Sequence, residues 1–125
     1  MTAAGHFGGV IEAVFVVNDY MYFGSGYELN IIDISNPADP SPVGSLLLFR
    51  PIERLTVVGN YAYVATGNIG LTIVNISNPA APSMVSFINT PGFAFDVAVA
   101  NNIAYVADDA SGIRVINVAS PGNPI

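Results

Sequence analysis

The segment LNIIDISNPADP, Leu29–Pro40, returns forty-two residues later as LTIVNISNPAAP, Leu71–Pro82, and again as IRVINVASPGNP, Ile113–Pro124. Each copy opens on a short apolar run rich in Ile, Leu and Val, the composition of a buried strand. Each then meets two prolines in close succession. Proline has no N–H for a sheet ladder, and Asn before Pro favours a turn, so the strand has to end there. A strand with an obligatory exit, written three times at one interval, means that the chain is built of repeats. That has to be settled before any single residue is read.

The similarity extends outward. Tyr20-Met21-Tyr22-Phe23 aligns with Tyr61-Ala62-Tyr63-Val64 and Ile103-Ala104-Tyr105-Val106. Upstream, Val14–Val17 matches Leu55–Val58 and Val97–Ala100, followed by the turns Asn18-Asp19, Gly59-Asn60 and Asn101-Asn102. The residue missing from the first copy falls in Gly24–Glu28, opposite Ala65–Gly70. In the second copy this predicts strands over Arg54–Val58, Tyr61–Ala65, Leu71–Ile76 and Met84–Asn89. Gly59-Asn60 suits a two-residue hairpin, because both residues tolerate positive φ. No useful helical period appears. Four strands in about 42 residues is the bookkeeping of a β-propeller blade. The predicted fold is all-β, with three four-stranded antiparallel blades over about 8–49, 50–90 and 91–125.

These same residues carry a family resemblance. TPGFAFDVAVANNIAYVADDASGIRVINVASPGNP, Thr90–Pro124, resembles the LVIVD repeat of bacterial and archaeal proteins, and nearly the whole chain follows the pattern. The name-giving strand stands here as LNIID, LTIVN and IRVIN. The pattern's Asp is kept at Asp33 and replaced by Asn75 and Asn117 in the other copies. The resemblance implies a β-propeller, with an extracellular or cell-surface setting in the parent family, and little chemistry.

Composition narrows the partners. Of 125 residues, 52% are hydrophobic and 10% charged, with three arginines against nine acids and a formal charge of −6. A phosphate backbone needs clustered basic side chains, so nucleic acid is not expected as a partner. There is no cysteine, hence no disulfide or thiolate chemistry. MTAAGHFGGV lacks the basic start and apolar core of a signal peptide. No run approaches the eighteen or so apolar residues of a membrane helix, so membrane insertion is not expected.

Three blades cannot close a ring, because known propellers have roughly four to eight. Two copies make six blades and three make nine, so a homodimer is expected and a trimer is the alternative. A slice of a longer propeller would look the same. The third copy reaches Pro124-Ile125 where its outermost strand should begin. Thr2–Phe7 precede the first inner strand, Val10–Val17, and Gly5–Val14 stand loosely in the register of Ser86–Val97. The expectation is that Thr2–Phe7 of a partner completes the third blade.

Chemistry is sparsely signalled. His6 is the one histidine, so neither a metal site nor a Ser-His-Asp constellation can be read around it. Asp108-Asp109-Ala110-Ser111-Gly112 is an acidic loop that reads as a turn rather than a calcium site, which needs six to eight oxygens. Gly24-Ser25-Gly26 has no following helix to cradle a phosphate. The recurring tyrosines 20, 22, 61, 63 and 105 read as packing between blades. The polar cluster before the inner strands, Glu12, Arg50, Glu53, Arg54, Phe93, Phe95 and Asp96, falls on the face that gathers at the channel mouth. Of these, Glu12, Arg50, Glu53, Arg54, Phe93 and Asp96 are candidate ligand contacts by analogy of fold. A purely structural reading pairs Glu53 and Arg54 with neighbouring acids and has Asp96 cap backbone amides. No catalytic residue, cofactor or metal is expected. The function read from this is a non-enzymatic scaffold presenting loops to a protein or small ligand. The alternatives are a lectin-like propeller and, more remotely, a hydrolase using Glu12 and Glu53; against a lectin, Tyr27 stands opposite Ile69 and Ser111, so the loop aromatics do not repeat.

Overall fold

The computed structural model describes residues 11–125. Eleven strands follow in order: β1 (Ile11–Val17), β2 (Tyr20–Ser25), β3 (Glu28–Asp33), β4 (Ser41–Leu47), β5 (Arg54–Val58), β6 (Tyr61–Ala65), β7 (Leu71–Asn75), β8 (Ser83–Ile88), β9 (Asp96–Ala100), β10 (Ile103–Ala107) and β11 (Ile113–Asn117). They form three antiparallel meanders, β1-β2-β3-β4, β5-β6-β7-β8 and β9-β10-β11. The fold is therefore all-β, in three repeated blades. The sole helical element among the described residues is one 3₁₀ turn, Asp109–Ser111. Strand positions agree with the sequence reading to within a residue in the second blade; the first inner strand is described from Ile11 onward. The Thr2–Phe7 strand lies outside the described residues.

Each predicted turn takes the backbone shape its residues allow. Asn18, Gly59, Asn101 and Asn102 all have positive φ, between 51° and 63°. The inner strands β1, β5 and β9 lie side by side. Between the first two blades, Ala13, Tyr22, Leu29 and Ile31 pack on Leu55, Val57, Ala62 and Val64. Between the second and third, Tyr63, Leu71 and Ile73 pack on Val97, Ala104, Val106 and Ile116. Both faces of the middle blade are thus covered, as a stacked repeat requires. Tyr22 and Tyr63 sit in these seams as expected. Burial pushes each phenol above its ordinary 10.0, with Tyr20 and Tyr61 adding to the effect.

The exit turn after each third strand is held by its own side chains. Asp33 Oδ1 accepts the Ser35 N–H at 2.8 Å, Asn75 Oδ1 that of Ser77 at 2.9 Å, and Asn117 Oδ1 that of Ala119 at 2.9 Å. The position needs an acceptor and not a charge, which explains why Asn replaces Asp in two copies. The Ser35 N–H also draws the exposed Asp33 carboxyl below its ordinary 3.8. A depressed carboxyl stabilises the fold above that value and loses its contribution as pH falls through the folded-state pKa. Asp33→Asn should therefore leave the thermal midpoint unchanged at pH 7 and flatten its decline at acid pH, as checked by melting curves across pH.

Candidate functional site

The β2–β3, β6–β7 and β10–β11 turns and the two connections between blades all emerge at one end of the inner strands, the mouth. The connections are tied to the turns by backbone bonds. Leu48 donates to Tyr27 O at 2.8 Å, and Ile52 to Gly26 O at 3.1 Å. Gly67 and Ala94 exchange two bonds, at 3.1 and 3.0 Å. Gly67 has φ 61°, and a Cβ there would strike the Phe93 ring that lies over it. Phe93 in turn packs against Phe95, ring centroids 4.7 Å apart and tilted by 48°.

The candidate residues divide. Arg54 Nη1 donates to the backbone carbonyls of Glu12 and Glu53, both at 2.8 Å, and so joins the starts of β1 and β5. It bonds carbonyls, where the structural reading expected acids. Asp96 Oδ1 accepts the N–H of Val97 at 2.8 Å, capping its own strand. Glu12, Glu53, Arg54, Phe93 and Asp96 are thus all at the mouth.

Arg50 is not with them. Its guanidinium stands 4.6 Å above the Phe87 ring and 3.4 Å from Met84 Sδ, on β8. A cation over an exposed aromatic face is the physical reason for that departure. The sequence reading grouped Arg50 with the mouth because it precedes an inner strand, and side-chain length carried it elsewhere.

Asp108 has a role that its sequence did not announce. It is fully buried. Its Oδ1 accepts the Thr90 hydroxyl at 2.6 Å and its Oδ2 the Gly92 N–H at 2.9 Å. The acidic loop is thus a tie between the second and third blades, with its first carboxyl spent on protein donors. The available signal was positional: Ser25, Thr66 and Asp108 occupy the same repeat position, at the end of the second strand or just after it. Thr66, also buried, bonds Gly70 O and the Thr72 hydroxyl. A further feature missed from sequence is Phe49, 80% exposed with φ 59°, in the connection between the first two blades. Among the described residues no three His, Cys, Asp or Glu side chains converge as metal ligands. No described helix is long and apolar enough to cross a membrane.

The profile of the LVIVD repeat matches residues 8–47, 52–90 and 91–125. The chain belongs to the LVIVD repeat family. Solved structures agree on the fold of this LVIVD chain at low identity. A computationally designed protein, Ika4, is 13% identical with a TM-score of 0.74, covering 99% of this chain and 74% of its own. A chain of the Mitotic Checkpoint Complex is 11% identical, TM-score 0.72, over 84% of this chain and 36% of its own. BamB from Moraxella catarrhalis is 17% identical, TM-score 0.65, over 82% of this chain and 30% of its own. The LVIVD chain therefore spans about a third of the length of the last two. A search of curated proteins returns no match.

The most telling geometry is at the two ends of the stack. Tyr105 is 44% exposed, whereas Tyr22 and Tyr63 at the same repeat position are 4% and 5% exposed. Ile113 and Val115 are each 63% exposed, whereas Leu29, Leu71, Ile31 and Ile73 are all at 0%. On the first blade, Val14 and Val16 are 60% and 56% exposed, against 7% and 8% for Leu55 and Val57. On that same face Phe23 and Ile32 are buried. The third blade thus bares one apolar face and the first blade part of the opposite one.

Proposed function

We propose that this chain is a non-enzymatic LVIVD propeller module that closes into a ring with a second copy and presents its mouth loops to a protein or small ligand. The exposure of Tyr105, Ile113 and Val115, at positions buried in the other two blades, carries this reading. An apolar patch of this kind marks an interaction surface. The complementary patch, Val14 and Val16, is on the face that the next blade of a ring would meet. Joining third blade to first, twice, gives a closed two-fold ring of six blades, within the usual range of roughly four to eight.

Around the mouth, Glu12, Glu53, Arg54, Phe93 and Asp96 supply charge and aromatic surface, and each would occur twice in the ring.

Light scattering should give twice the chain mass of 13.0 kDa. Because each copy carries a formal charge of −6, added salt should tighten the association by screening repulsion. A folded species that stays at 13.0 kDa over a wide concentration range would sink the reading.

A further inference from the structure

The exit turn of the second blade carries a motif that the other two copies lack. Asn75-Ile76-Ser77 is Asn-x-Ser with x other than proline, the pattern of an N-glycosylation acceptor. No other asparagine in the chain is followed two places on by Ser or Thr. Two further conditions are physical. The carboxamide nitrogen must be open to a bulky glycosyl donor, and the fold must tolerate the carbohydrate once attached.

Asn75 Oδ1 accepts the Ser77 N–H at 2.9 Å and the Ser77 hydroxyl at 2.7 Å. Two donors fix the oxygen on the inner side of the turn, so the amide nitrogen points away from it. Asn75 Nδ2 makes no hydrogen bond among the described residues, and no buried side-chain nitrogen or oxygen there lacks a partner. Nδ2 is therefore open to solvent. Ser77 and Asn78 beside it are exposed, while Ile76 between the two polar members of the triplet is buried in the seam between the first two blades. The Ile76 N–H also donates to Asn60 O at 2.8 Å, which places the triplet beside the β5–β6 hairpin, at the end of the blade opposite the mouth.

We propose that Asn75 is an N-glycosylation site, modified on the folded chain by a transferase that uses a lipid-pyrophosphate-linked oligosaccharide. Nδ2 forms a C–N bond to the anomeric carbon of the first sugar. The anomeric C–O bond to the pyrophosphate breaks, the lipid pyrophosphate leaves, and one Nδ2 proton passes to a base of the transferase. The product keeps Oδ1 as an acceptor, so both bonds from Ser77 survive the modification. The carbohydrate projects into solvent and leaves the mouth loops free. The site requires neither the ring nor a mouth ligand.

The other two copies supply the controls. The first has Asp33-Ile34-Ser35, with the hydroxyl but no amide nitrogen, and the third Asn117-Val118-Ala119, with the amide but no hydroxyl. Both close the same turn, at 2.8 and 2.9 Å. Asn75→Asp and Ser77→Ala thus each remove half of the motif with a residue that this turn already uses.

Folded chain incubated with the purified transferase and its oligosaccharide donor should gain the mass of one glycan, and peptide mapping should place it on Asn75. Asn75→Asp and Ser77→Ala should lose the gain, and Ser77→Thr should keep it. Asp33→Asn, which completes the triplet in the first copy, should add a second glycan. Circular dichroism should show each variant folded, and the glycosylated chain should keep its melting midpoint. No gain on the folded chain overturns the proposal, and a synthetic Val74–Pro79 peptide in the same mixture tells whether the fold or the triplet is at fault. A gain that survives Asn75→Asp overturns the assignment to Asn75. A single glycan on the folded Asp33→Asn protein overturns the turn as the feature that presents the acceptor. A lower melting midpoint after glycosylation overturns the survival of the Ser77 bonds.

Discussion

Val115→Asp should leave the chain folded and reduce its solution mass to that of one copy, 13.0 kDa, whereas Ile73→Asp at the same repeat position should unfold it. The two side chains have equivalent places on equivalent strands, β11 and β7. Ile73 lies wholly buried between the second and third blades. Removing its apolar bulk there costs about 2–5 kcal/mol, and an unpaired carboxyl in that seam adds several more. Against a total stability of about 5–15 kcal/mol, the sum is enough to abolish the native state. Val115 is largely exposed in the single chain, so Asp at that site is solvated and costs the monomer little. In the proposed ring it would bury a charge against Val14 and Val16 of the other copy. Circular dichroism and light scattering on both variants test this together. A Val115→Asp protein with unchanged dimer mass would remove the third blade's face from the interface.

Asp108→Ala should cost about 2–6 kcal/mol, a large effect for a residue in a turn. The side chain is buried and accepts two hydrogen bonds, from the Thr90 hydroxyl and the Gly92 N–H. Alanine leaves the buried Thr90 hydroxyl and the half-buried Gly92 N–H without partners, at about 1–3 kcal/mol each, the second toward the low end. Nor can the connection shift to relieve them. Gly92 is pressed so closely on the Asp108 carbonyl that a Cβ there would overlap it. Asp108→Asn should be intermediate, because one amide oxygen still accepts while the NH₂ faces a donor. Thr90→Val keeps the Gly92 bond but leaves Asp108 Oδ1 buried without its donor, so it too should destabilise. Urea titrations would rank the three. The denaturant slope should stay constant, since the surface exposed on unfolding is unchanged. If Asp108→Ala lies within about 0.5 kcal/mol of the parent, the tie between blades does not hold the third blade in place.

Much of the fold was legible because its determinants are local. Gly59-Asn60 specifies its turn by the φ values these residues tolerate, and Ser77-Asn78-Pro79 ends a strand because proline lacks a donor. The strand borders of the second blade follow directly. The mouth cluster was legible in part, since Glu12, Glu53, Arg54 and Asp96 immediately precede or begin inner strands. Their partners were not, because Arg54 bonds two backbone carbonyls whose positions depend on two different strands. Arg50 was misplaced for a similar reason: Phe87 and Met84 lie more than thirty residues away in sequence.

The amino-acid sequence alone determined the repeat, the four-strand plan of a blade, the turns between strands and the proline-stiffened exits. Each depends on residues within a few positions of one another. Only the tertiary structure decided which repeated side chains are covered, because burial is a relation between neighbouring blades and not a property of a residue. Tyr22, Tyr63 and Tyr105 are the same residue at the same position of the same strand, yet two are buried and the third is open to solvent. The difference is the blade that follows, present for the first two and lacking for the third within a single described chain.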